Sequence, residues 1–126
     1  MKKIINTENA PAPIGPYNQA ILSNGTLYIS GQIPINPKSG ALVSGDIKLE
    51  TKQSMENLKA ILTEAEMTFE HVVKSSIFLS DMDQFTEVNE VYATYFNAET
   101  APARETVEVA NLPKFVNVEI SMIAVK

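Results

Sequence analysis

The chain has no cysteine, no tryptophan, one histidine and one arginine. Without cysteine there is no disulfide, no thiol nucleophile and no thiolate metal site. The lone His71 excludes multi-histidine metal centres and leaves only carboxylate-type sites. It follows a helical stretch whose C-terminal dipole suits a histidine, and no function is assigned to it. Lys2-Lys3 precedes no long apolar run, so neither a signal peptide nor a membrane span is expected, and the default is a soluble cytoplasmic protein. Positive charge is scarce and scattered. With a net charge of −5 and no basic run, nucleic acid is disfavoured as a partner. No repeat, low-complexity tract or linker interrupts the 126 residues. One domain over 1–126 is expected, burying roughly two thirds of its unfolded surface.

What is present is organised around the arginine. Arg104 stands in Pro102-Ala103-Arg104-Glu105-Thr106-Val107-Glu108-Val109. Arginine grips a carboxylate with two parallel hydrogen bonds, which lysine does not. The β-branched Thr106, Val107 and Val109 predict a strand with Arg104 at its start. Two uses are open: a grip on a ligand, or a surface ion pair with Glu105, Glu108 or Glu119, which contributes little.

Short strands are expected at Lys3-Ile4-Ile5, Ala20–Ser23 and Thr26–Ser30. Asn24-Gly25 joins the last two, because both residues tolerate positive φ. Residues Asn6 to Pro16 form a proline-punctuated loop ending at Tyr17. Ser30-Gly31-Gln32 closes the third strand, where glycine permits a bulge or a close backbone approach. Asp46 is placed to cap a helix running to about Met67, with Met55, Leu58, Ile61 and Leu62 on its apolar face. A strand follows over Val72 to Leu79. Asp81 or Asp83 caps a second helix to Phe96, whose stripe Phe85, Val88, Tyr92 and Tyr95 reads as core. Strands over Glu105–Val109 and Val116–Val125 complete an order β-β-β-α-β-α-β-β.

The expectation is an α+β fold, a single sheet with both helices on one face. In the last strand Val118, Ile120, Met122 and Ala124 alternate with Glu119, Ser121 and Ile123. In the strand before, Val107 and Val109 alternate with Arg104, Thr106 and Glu108. The apolar sets are expected under the helices. The other face, only half polar, suits cover by another subunit, with Arg104, Thr106 and Glu119 in a pocket between subunits. A register slip of one residue would reverse this.

The chain also resembles a known family, the Rid (YjgF) proteins and their RidA subgroup. The likeness is carried by Ala10-Pro11-Ala12-Pro13-Ile14-Gly15-Pro16-Tyr17, Ser30-Gly31-Gln32-Ile33-Pro34, Gly45-Asp46-Ile47, Asn57-Leu58, Val88-Asn89, Pro102-Ala103-Arg104, Leu112-Pro113 and Val118-Glu119-Ile120. It implies a chorismate-mutase-like fold assembled as a homotrimer with clefts between subunits. It implies hydrolysis of enamines and imines such as 2-aminoacrylate to a 2-oxo acid and ammonia; the absence of cysteine and the lone histidine add the expectation that no metal or organic cofactor is needed. By the same resemblance Arg104 holds the substrate carboxylate, Glu119 positions water, and Tyr17, Ser30, Gly31, Asn89 and Thr106 line the cleft. This chain departs from the family at four places. Thr106 stands where cysteine is common and Glu105 where a small residue is usual. The run Lys114-Phe115-Val116-Asn117 is atypical. Glu66 replaces a helix-ending glycine, so that end is expected to be capped differently.

Such a reaction needs little machinery. A guanidinium fixes the carboxylate, and one carboxyl group takes a proton from water and returns it to the leaving nitrogen. Each residue has a plainer use. Tyr17 could only pack over its loop, Ser30 and Gly31 end a strand, Asn89 bond to backbone, and Glu119 pair structurally with Arg104. A non-catalytic module that captures small carboxylates is the second function class, and Glu119 separates the two, since anion binding gains nothing from a nearby acid. A ribonuclease lacks basic or stacking patches here, and a chorismate mutase would need more fixed cations.

Overall fold

The computed structural model describes residues 1–126. Six strands form one sheet: β1 Lys2–Ile5, β2 Ala20–Ser23, β3 Thr26–Gln32, β4 Val72–Leu79, β5 Ala103–Glu108 and β6 Val118–Val125. Their order across the sheet is β1-β2-β3-β6-β4-β5, antiparallel except for the β4–β5 pair. The parallel pair is joined through a helix, as a parallel connection requires.

Asn24 and Gly25 take φ of 51° and 80°, so the predicted turn forms and sets Ser23 opposite Thr26. At the bulge, Ile29 pairs with Met122 but Gln32 with Ile120, which leaves one extra residue on β3 at Ser30-Gly31. Helix α1 spans Ile47–Glu64, and Asp46 Oδ1 accepts from the amides of Lys48 at 2.9 Å and Leu49 at 3.3 Å. Its C-terminal end corrects one expectation. Glu66 itself adopts the left-handed conformation, φ 58°, and the Met67 amide donates to Leu62 O at 2.9 Å. The usual glycine-type ending is kept without the glycine.

Asp81 caps a single 3-10 turn, Met82–Gln84, before α2 begins. Helix α2 spans only Phe85–Ala93 and stops three residues short of Phe96. Phe96 still packs, its ring centroid 4.8 Å from that of Tyr92 and 5.3 Å from that of Phe69. Both helices lie on one face, α1 across β3 and β6 and beside α2. Met55, Leu58, Ile61 and Leu62 of α1 meet Leu27, Val118, Ile120 and Met122, all buried. Each such side chain contributes about 1.5–3 kcal/mol on burial.

The alternation holds in β6: Val118, Ile120, Met122 and Ala124 are buried, while Glu119, Ser121 and Ile123 are half-buried. It reverses in β5. Arg104 pairs with Ser75 and Thr106 with Ile77, both buried on the helix side, whereas Val107 pairs with Phe78 on the open face and is exposed. The reason is position. β5 is the edge strand, and the nine-residue α2 leaves its helix-side positions only half-buried. A long polar side chain can lie there without full desolvation, so apolar residues are not required. The open face is half apolar as expected: Ile4, Ile21, Tyr28 and Ile123 run as one row across four strands.

Candidate active site

The predicted residues fall into two clusters. The first lies along α2 and β5. Arg104 Nη1 donates to Asn89 Oδ1 at 2.7 Å. Its guanidinium carbon sits 5.0 Å from the Tyr92 ring centroid and 5.7 Å from that of Phe85. Tyr92 is fixed in turn, its hydroxyl donating to Ser75 Oγ at 2.9 Å. Burial holds the Tyr92 phenol above its usual range, against the opposing effects of the Ser75 hydrogen bond and the Arg104 charge, so it stays neutral. Two residues on from Arg104, Thr106 Oγ1 is buried without a hydrogen-bond partner.

Arg104 makes no ion pair. The chain's ion pairs are Lys48–Glu90 and Lys74–Glu105, each at 2.8 Å. Glu105 is drawn to the open face, where Lys74 and Ser76 hold its carboxyl below the usual range. Glu108 accepts from the Met82 amide at 2.8 Å. The acids that could have neutralised the arginine are thus engaged elsewhere or on the other face, and its charge is available to a ligand.

The second cluster is built at the β3 bulge. Glu119 lies across Gly31, where an added Cβ would sit 2.7 Å from the carboxyl carbon and 2.9 Å from Cγ. A side chain at position 31 would push the Glu119 carboxyl out of this position. The Glu119 carboxyl has no hydrogen-bond or ion-pair partner within the chain, and burial pushes its pKa up. A partly desolvated acid without a fixed partner is a candidate for taking up and returning protons. Tyr17 is about half exposed, and its hydroxyl oxygen accepts from the Ile14 amide at 3.5 Å. Together with Ile14, Gly31 and Ile33 it lines a recess of about 30 Å³. Ser30 Oγ donates to Asn18 O at 2.7 Å, so that hydroxyl also fastens the loop before β2.

One chain does not bring the clusters together. Arg104 is on the helix side of β5, and Glu119 is on the open face of β6, with β4 between them. Two strand spacings are about 10 Å, and the sheet itself intervenes. Within one chain a structural Arg104–Glu119 pair is therefore excluded, as is a shared face. Sequence reading placed Phe85 and Tyr92 in the core and missed their contact with Arg104. The signal was the polar Asn89 set within an aromatic stripe at positions 85, 89 and 92. A wider cleft of about 650 Å³, lined by Asn36, Gln53, Glu56 and Lys59 among others, contains none of the predicted residues. No group of three His, Asp or Glu side chains could hold a metal ion.

Comparison with known proteins adds to this geometry. The family described as endoribonuclease L-PSP matches residues 7–126. This chain belongs to the Rid (YjgF) family. Among its Rid relatives, a RutC family protein of Pyrococcus horikoshii is 55% identical over 126 residues, covering 100% of this chain and 99% of the relative. The 2-iminobutanoate/2-iminopropanoate deaminase of mouse is 48% identical over 126 residues, covering 100% and 93%. The structure of E. coli TdcF with bound serine superposes with a TM-score of 0.92 at 40% identity, covering 98% of each chain.

Proposed function

We propose that this Rid protein hydrolyses 2-iminobutanoate, 2-iminopropanoate and their enamine precursors, such as 2-aminoacrylate, to 2-oxo acids and ammonia. The observation that carries the reading is the arginine with no acidic partner, matched by a partly desolvated acid with no basic one. The deaminase name of the mouse relative and the serine bound to TdcF support a small substrate carrying both carboxylate and nitrogen.

The working site is assembled from two copies in a homotrimer. Arg104, Asn89 and Thr106 of one copy face Tyr17, Ser30, Gly31 and Glu119 of the next. Support comes from the separation of the clusters on opposite faces and from the half-apolar open face that a lone chain leaves wet. In this cleft the Arg104 fork and the Thr106 hydroxyl fix the carboxylate. The enamine carbon takes up a proton as its nitrogen gives one up, and the bond system becomes an imine. Glu119 accepts a proton from the water that adds to the imine carbon and returns it to the nitrogen; the proton of the new hydroxyl group then passes to the nitrogen as the carbonyl forms, and ammonia leaves. The net change is one water consumed and one ammonia released. No cofactor enters this sequence.

Glu119 favours this reading over a carboxylate-binding module without catalysis. The ribonuclease in the family's description is disfavoured by the net charge of −5, since a phosphate backbone is held by clustered cations. The direct test generates 2-aminoacrylate in place with a serine dehydratase and follows pyruvate release with and without this protein. Unchanged release rules out the deaminase. Sedimentation equilibrium is expected to return three chain masses, and a monomer rules out the shared cleft.

A further inference from the structure

We propose that Phe85 and Tyr92 are positioning residues for ligand capture, their rings holding the Arg104 guanidinium in the orientation from which it grips a carboxylate. This rests on the reading of Arg104 as the carboxylate grip. An arginine on a free stem loses rotamer freedom when a ligand orders it, and that loss weakens binding. An acidic neighbour would order it too, but would also neutralise the charge on offer. Aromatic faces order it without neutralising it, because their quadrupole attracts a cation while carrying no net charge.

The geometry fits this division. Phe85, Asn89 and Tyr92, at i, i+4 and i+7, share one face of α2. The two rings lie 5.7 and 5.0 Å from the guanidinium carbon, and Asn89 takes one Nη1–H at 2.7 Å. The remaining donors are free. The Tyr92 ring is held by packing, its centroid 4.8 Å from that of Phe96, and its hydroxyl reaches Ser75, the β4 partner of Arg104, at 2.9 Å. Ring and arginine are thus referred to the same strand pair. The stripe that closes the core also aims the cation.

Arg104 is the only arginine, so its Nε–Hε correlation is a single NMR signal that assigns itself. The test combines that signal with pyruvate titration of wild-type protein, Phe85→Leu, Tyr92→Leu, Tyr92→Phe and Arg104→Ala. Each leucine variant is expected to move the signal downfield as ring-current shielding is lost, and to raise the pyruvate Kd about tenfold. Tyr92→Phe keeps the ring, and is expected to leave signal and Kd within about twofold of wild type. A folded Phe85→Leu protein with unshifted signal and unchanged Kd overturns the proposal. So does a Tyr92→Phe protein as weak as Tyr92→Leu, which would trace the effect to the Ser75 hydrogen bond. If Arg104→Ala binds pyruvate as wild type does, the carboxylate reading falls and this proposal with it. If Arg104→Ala loses binding while both leucine variants keep it, only the positioning role falls.

Discussion

At the α2–β5 edge a cation is held entirely by neutral partners, an amide oxygen and two aromatic rings. At the β3 bulge an acid has no polar partner at all and lies against a glycine. The first arrangement preserves charge and restricts motion, which is what binding an anion needs. The second weakens the acid by desolvation, which is what moving a proton needs. Neither cluster could be converted into the other by exchanging the charged residue. An acid between the rings of Phe85 and Tyr92 would meet their negative faces, and an arginine over Gly31 would be desolvated with no acceptor.

The largest effect should separate the two clusters by function. Arg104→Ala is expected to abolish both pyruvate binding and turnover. Arg104→Lys keeps the charge without the fork and should lower kcat/KM about ten- to a hundredfold. Glu119→Gln should bind pyruvate normally while turnover falls about a hundredfold or more. Calorimetric titration beside the turnover assay checks this, and equal loss of binding in both variants would erase the distinction. Next in size is Gly31→Ala, whose methyl group must displace the Glu119 side chain. Turnover is expected to drop by about tenfold or more, with pyruvate affinity retained. Wild-type turnover in that variant would mean that the position of the acid does not matter.

A smaller effect sharpens the contrast through stability. Burial raises the Glu119 pKa in the folded chain, so folding is opposed once the group ionises, and the opposition appears as pH rises through the folded pKa. Glu119→Gln should therefore raise Tm at neutral pH. The gain should vanish in acid below the unfolded pKa, where the wild-type group is neutral in both states. Thermal melts across pH 3–8 follow this, and a gain that grows in acid would reverse the assigned sign. The smallest effect is a control remote from both clusters. Glu66→Gly relieves a left-handed φ of 58° and should stabilise by about 0.5–1 kcal/mol without altering turnover. Chemical denaturation measures it.

Local chemistry was legible in the sequence wherever one residue type has few uses. Asn24-Gly25 could only turn, Asp46 could cap α1, and β6 sits between two strands, so its alternation names its buried face. β5 was misread because an edge strand under a short helix is not forced to present apolar residues inward. Val107 and Arg104 exchange faces there at little cost. Helix α2 was read three residues too long because Phe96 continues the aromatic stripe, although it packs from beyond the helix end. The contact between Gly31 and Glu119 joins positions 88 apart in the chain and leaves no local pattern to read.

That contact has a consequence for descent. The glycine makes room for the glutamate as it now lies, and its own backbone, which does not take a positive φ, places no demand on it. A lineage that discards the acid frees position 31 to acquire a side chain, and once it has one an acid that returns is displaced from its present position until a second change restores the glycine. Loss of Glu119 should therefore act as a ratchet, and the two positions should be inherited as a pair, together in catalysts and drifting together elsewhere.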